Sequence, residues 1–159
     1  ESLDALAAYT NSHDFILSPF AKNGLSDSAK RGKAIFESNK TKCATCHNGP
    51  VFTDSAPVSV AEFRMHDVGT GNDDESEKMG PRYDTPTLLG VYRTAPYLHH
   101  GKALTLRDVL TTETKDDKHG ITSHLSEKQL NDLVEFLKSL PYEDPMSDIK
   151  SSGIKAVSF

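Results

Sequence analysis

Cys43-Ala44-Thr45-Cys46-His47 is the stretch from which the rest of this chain can be read. Its pattern, C-x-x-C-H, is the attachment sequence for c-type haem. Thiols one helical turn apart can each bond a vinyl group on the same edge of a porphyrin. The histidine that follows sits beneath the ring, where it can ligate iron as proximal histidines do in other haem proteins. The competing chemistries need partners that the sequence lacks. A zinc site takes about four ligands, usually with a second Cys or His pair at close spacing, and Cys43 and Cys46 are the only cysteines. A thioredoxin-like redox pair sits beside a βαβ pattern, which is not found. The motif predicts one covalently bound haem c, anchored by Cys43 and Cys46, with His47 on the iron.

Composition agrees with a core centred on a cofactor. The 159 residues make one domain, or one domain with appendages. Only 36% are apolar and none is tryptophan, so a haem would add a large apolar plate to a lean core. Net charge is −5 with no dense Lys/Arg run, which argues against nucleic acid or an anionic membrane as partner. No stretch approaches the roughly 18 apolar residues of a membrane span. The chain opens with Glu1 and runs into a helical pattern, without a signal peptide. Haem attachment needs reduced thiols and machinery outside the cytoplasm. The expectation is therefore an exported bacterial protein, periplasmic or otherwise extracytoplasmic, whose leader has been removed. A free cysteine pair there would otherwise form a disulfide.

Outward from the motif, residues 2–12 place Leu3, Leu6, Ala7 and Thr10 on one helical face, and 13–25 read as a surface linker. Ser26 caps a helix running to about Ser38 that delivers the chain to Cys43. Asn48-Gly49-Pro50 turns the chain after His47, and 51–70 show no sustained period, as short strands or irregular loop would. The acidic run at 71–80 reads as a solvated loop. Thr85-Pro86 predicts a short helix with Leu88, Leu89 and Tyr92 inside. Thr105-x-x-Asp108 caps a helix over about 106–113, and 114–125 form a polar loop carrying His119 and His124. Ser126-x-x-Gln129 caps the strongest helix, whose stripe is Leu130, Leu133, Val134, Leu137 and Leu140, ended by Pro141. Beyond Tyr142 the tail is polar until Ile154, Val157 and Phe159.

A helix before C-x-x-C-H and a longer amphipathic helix at the end make the plan of an all-α cytochrome c-like fold, with long irregular loops around one covalent haem. A more specific resemblance rests on Phe52-Thr53-Asp54, Asp67-Val68-Gly69-Thr70, Asp84-Thr85-Pro86-Thr87-Leu88, Thr94-Ala95-Pro96-Tyr97-Leu98-His99-His100-Gly101, Thr105-Leu106 and the Leu133–Leu140 stripe, in that order. This succession resembles the C-terminal haem domain of the di-haem cytochrome c peroxidase and MauG-like family, over about residues 30–141. The resemblance implies that Pro96, Tyr97 and His99 lie against the haem edge, with Tyr97 or His99 hydrogen-bonded near a propionate. It divides the chain into an N-terminal helix and linker (1–25), a cytochrome c domain (26–141) and a tail (142–159). In that family two haem domains cooperate, one reacting with peroxide and the C-terminal one storing or relaying an electron. A single C-x-x-C-H excludes a self-contained two-haem peroxidase, leaving a domain of a longer protein or a single-haem relative. The apolar spacing of residues 2–12 echoes that of 130–139, which favours the former, with 1–25 as the end of an upstream haem domain.

The sixth iron ligand decides between carrier and catalyst. Methionine raises the potential, histidine gives a lower one, and an open site permits peroxide or gas chemistry. The family's methionine or tyrosine position falls near Glu113, a poor ligand for an electron-transfer haem. The other donors are Met65, His66, Met79, His99, His100, His119, His124 and Met146. His119 is favoured, because it precedes Gly120 in a loop able to fold over the distal face. The sequence thus predicts a mono-haem domain that transfers single electrons to a redox partner protein or an upstream haem domain. The rivals are a peroxidase or oxygenase domain with open iron, and a thiol-disulfide protein without haem.

Overall fold

A computed structural model describes residues 2–10, 14–55, 64–71, 80–114 and 116–144. In chain order the elements are α1 (Ser2–Thr10), β1 (Asp14–Ile16), α2 (Asp27–Phe36), α3 (Cys43–Cys46), β2 (Met65–His66), β3 (Tyr83–Asp84), α4 (Leu106–Leu110), α5 (Glu127–Ser139) and β4 (Tyr142–Asp144). Short 3-10 turns lie at Pro19–Ala21 and Val91–Arg93.

Two capped helices organise the chain. The Ser26 hydroxyl accepts from the Ala29 amide at 3.1 Å and starts α2, which buries Ala29, Gly32 and Phe36. Ser126 and Gln129 cap α5 reciprocally. The expected stripe is buried at Leu130, Leu133, Leu137 and Leu140, joined by Phe136, with Val134 half-buried. Leu140 turns extended before Pro141 and ends the helix.

α2 meets α5 at Gly32. A Cβ there would stand 1.9 Å from the Asp132 carbonyl oxygen and 2.8 Å from the Phe136 Cβ, so the absence of a side chain lets the backbones touch. Beside this contact the Asp132 carboxylate, only 5% exposed, accepts from Arg31 Nε and Nη2 (both 2.7 Å), Ser28 Oγ (2.5 Å) and Lys128 Nζ (2.9 Å). Arg31 first, then Ser28, hold that carboxyl well below the usual carboxylate range. The Phe36 ring packs on Phe136 at 5.3 Å and on Phe52 at 6.1 Å, carrying the core from the helix crossing to the loop after Cys46-His47. α4 adds Leu106 and Leu110 to the same core.

Three local expectations change. No helix starts at Thr85. The Thr87 hydroxyl donates to the Val51 carbonyl, the Thr53 hydroxyl to the Thr85 carbonyl, and the Thr85 amide to Ser55 Oγ, each at 2.5–3.0 Å. These bonds to the 51–55 loop replace the helical ladder, and Tyr83–Asp84 pair antiparallel with Met65–His66 instead. α4 stops at Leu110, because the hydroxyls of Thr111, Thr112 and Thr114 bond back to the carbonyls of Arg107, Asp108 and Val109. The stretch expected as a surface linker is tied down. β1 pairs antiparallel with β4, Ser18 is fully buried with its hydroxyl on the Lys138 carbonyl at 2.6 Å, and Ala21 is buried. The start of the tail is therefore a strand; Ile154, Val157 and Phe159 lie outside the described residues. No residue of α1 is buried.

Gly32→Ala should destabilise the fold by about 2 kcal/mol. Overpacking costs of about 1–3 kcal/mol exceed the roughly 1 kcal/mol gain in helix propensity when the obstacle is backbone. The check is a lower denaturant midpoint at unchanged slope.

Candidate haem site

Lys42, in the left-handed region at φ 59°, aims the chain into the single turn of α3, and the His47 amide closes it on the Cys43 carbonyl at 3.1 Å. Both thiols are free and half-buried. Burial pushes both thiols up, and for Cys46 the Asp54 charge adds to this, so each keeps its proton at neutral pH. His47 Nδ1 lies 3.1 Å from the Phe52 carbonyl. That partner assigns the ring proton to Nδ1 and leaves the Nε2 lone pair for a metal. Burial pulls the His47 pKa down, keeping the ring neutral.

Facing it is His119, whose ring centre lies 6.2 Å from that of His47 at an interplanar angle of 45°. Two imidazoles bonded to one iron at about 2 Å each stand with ring centres about 6 Å apart. Burial, and then the neighbouring His47, lower the His119 pKa to about 4. Its Nδ1 is buried without a hydrogen-bond partner. Two neutral imidazoles tilted toward each other, one with an orphaned nitrogen, beside two free thiols, form a donor set that fits haem c.

The loop carrying His119 is built for this placement. The Ile121 amide donates to the Thr41 carbonyl at 2.9 Å. Gly120 adopts φ +77°, and a Cβ there would meet the Thr41 carbonyl at 3.2 Å and Cys43 Sγ at 3.6 Å. Thr41 is itself held by its hydroxyl on the Ile35 carbonyl at 2.5 Å. Asp117 accepts from the amides of Thr122 and Ser123 at 3.0 Å, and the Thr122 hydroxyl bonds the Leu110 carbonyl at 2.7 Å. The end of α2 and the entry to α5 are thereby stapled together beside Cys43.

The remaining candidates lie elsewhere. Met65 is 45% exposed, and His124 is exposed. Met79 and Met146 lie outside the described residues. His100 Nδ1 accepts from the Lys102 amide at 3.1 Å. His99 stacks on Tyr83 at 4.1 Å, with Nε2 3.1 Å from the Tyr83 hydroxyl. Tyr97 donates its hydroxyl to the Val91 carbonyl at 2.9 Å, which engages the group expected near a propionate. Pro96 follows a cis peptide bond in the exposed part of that block. His66 stands beside Cys46 Sγ at 3.7 Å and is bonded to Asp54. Sequence reasoning gave Asp54 no role; its place just beyond Phe52 was the available signal.

The family model for cytochrome c matches residues 29–141. The chain belongs to the cytochrome c family. It is 35% identical to hydrazine synthase subunit gamma of Kuenenia stuttgartiensis, over 87% of this chain and 48% of that protein. With cytochrome c peroxidase Ccp of Escherichia coli it shares 30% identity over 86% of this chain and 31% of that protein. With the methylamine utilization protein MauG of Methylorubrum extorquens the figures are 33%, 72% and 35%. A solved structure of Kuenenia stuttgartiensis hydrazine synthase matches with TM-score 0.69 at 34% identity, covering 87% of this chain and 55% of that one. A MauG-like protein associated with microbial copper homeostasis shares the fold, with TM-score 0.59 at 20% identity. The resemblance to cytochrome c peroxidases and MauG is borne out, and a cytochrome c domain carries haem c. The chain spans about half or less of the length of these curated relatives. Among the described residues no helix is long and apolar enough to cross a membrane.

Acid should weaken this site. The His119 pKa is lowered from 6.5 to about 4 on folding, so the unfolded chain binds more protons across that window. Stability is then full above about pH 6.5 and falls as pH drops toward 4. In the chain without haem, the denaturant midpoint should be lower at pH 5 than at pH 7, and His119→Asn should flatten the difference.

Proposed function

We propose that this is a mono-haem electron-transfer domain in which His47 and His119 hold iron from opposite faces, while Cys43 and Cys46 fix the porphyrin to α3. The observation that carries the reading is the 6.2 Å separation of two half-buried imidazole rings. When bound, haem c supplies a one-electron ferric/ferrous couple. The protein's part is to hold that couple still. The Phe52 carbonyl orients His47 and raises its basicity. The bonds of Thr41, Asp117 and Thr122 hold His119 in place, where it would serve as a second ligand to the haem iron and keep outside molecules from binding there. A pair of histidines favours a comparatively low potential.

The partner in this reading is a redox protein or an upstream haem domain of the same polypeptide, and the location is extracytoplasmic, where haem is attached. A catalytic domain with open iron is the second reading, favoured by the peroxidase and MauG relatives. A half-buried histidine opposite His47, its Nδ1 buried without a partner, supports the carrier.

The purified protein should retain its haem through acid-acetone extraction and show one haem per chain by pyridine haemochrome. Replacing both cysteines by alanine should leave poorly folded apoprotein. A well-folded, colourless wild type would sink the proposal.

The axial assignment is tested separately. The wild type should be low-spin, without the weak long-wavelength band of thioether ligation. His119→Ala should admit carbon monoxide to the reduced iron. An unchanged spectrum would make His119 a bystander, and open iron in the wild type would favour the catalyst.

A further inference from the structure

Against the Cys46 sulfur lies a pair of side chains that neither anchoring nor iron ligation uses. His66 Nδ1 is 3.7 Å from Cys46 Sγ, and His66 Nε2 is 2.8 Å from Asp54 Oδ2. The Asp54 side chain is 4% exposed and the imidazole 33% exposed. Each comes from a segment held by other bonds. Asp54 lies between Thr53, whose hydroxyl is on the Thr85 carbonyl, and Ser55, whose hydroxyl accepts from the Thr85 amide. His66 sits in β2 in register with Tyr83. A carboxylate bonded to one ring nitrogen fixes the rotation of an imidazole, as it does for metal-ligating histidines. Here it leaves the Nδ1 edge on the sulfur.

We propose that Asp54 is a positioning residue that holds His66 over the Cys46 thioether as a cap on the haem edge, and that this cap raises the reduction potential by excluding water. The inference rests on the haem reading above. Ferric haem carries one more positive charge than ferrous haem, so water at the porphyrin edge favours the ferric form. Burial is one of the means by which a protein sets haem potential. Once bonded to carbon, the Cys46 sulfur has no proton to donate, and its contact with the ring becomes van der Waals packing. Asp54 acts through the ring. By its own charge, the carboxylate would push the potential in the opposite direction.

The test uses the haem-loaded protein and reads haem stoichiometry, free thiols, the axial-ligand spectrum and the midpoint potential. His66→Ala should keep two thioethers and the low-spin spectrum while shifting the ferric/ferrous equilibrium toward ferric by about tenfold, ~59 mV for one electron. His66→Leu, which restores an apolar cover, should return most of that shift. The Asp54→Asn shift should be more negative with His66 present than in the His66→Leu background, where loss of the carboxylate charge alone raises the potential. An Asp54→Asn shift that is the same with and without the His66 ring, or a His66→Leu variant no different from His66→Ala, would each overturn the inference. If His66→Ala fails to fold, the isosteric Asp54→Asn and the His66→Leu variants still decide it. Absence of covalent haem from the wild type would instead overturn the functional reading itself, and loss of the low-spin spectrum in His66→Ala would mean that the ring is a ligand.

Discussion

The close contact of α2 and α5 at Gly32 is the constraint on which the rest depends. With no side chain at that position, the two backbones approach until carbonyl and Cα nearly touch, and Asp132 ties the pair with bonds from both helices. Each helix then carries one half of the candidate site. α2 leads through Thr41 into Cys43-Ala44-Thr45-Cys46-His47, and α5 is entered through the loop that bears His119. The amide of Ile121 on the carbonyl of Thr41 joins the two halves again at their far end. A buried carboxylate in this position favours one helix register over its neighbours, since a slip would leave Asp132 without Arg31 and Ser28.

What the sequence made legible was local. C-x-x-C-H, the two capping boxes and the α5 stripe all act within a few residues of themselves, and the capping bonds and the stripe are present in the structure. The misread segments were those whose backbone groups find distant partners. Thr85-Pro86 has the look of a helix start, yet Thr85 and Thr87 bond to residues 51–55, thirty or more positions away. The stretch 13–25 has a linker's composition, but Ser18 reaches 120 residues along the chain to Lys138. His119 could be favoured from loop length and the following glycine, because the helix it precedes had to pack. The pairing of His66 with Asp54 was out of reach, since it depends on β2 and β3 coming into register.

The relatives place this architecture among proteins that are longer than it is. One is named as a subunit, and others as peroxidases or as a methylamine utilization protein. Their names differ in what is transformed. That pattern suits a module whose chemistry is adjusted at the second axial position and at the porphyrin edge. On the proposed reading those places fall to His119 and His66, both held by hydrogen-bonded neighbours rather than by the haem motif itself.

The distance along the chain between the facing imidazoles has a consequence for assembly. His47 is bonded into the motif, but His119 arrives only when α5 docks, 72 positions later. Of the seven histidines in the sequence, His66 lies far nearer to the motif. Closing a shorter loop costs less entropy. An iron already fixed to a collapsing chain would therefore meet the wrong imidazole first, and its release would become a kinetic trap on the way to the native fold. In the native fold His66 is instead bonded to Asp54 through Nε2, in register with Tyr83.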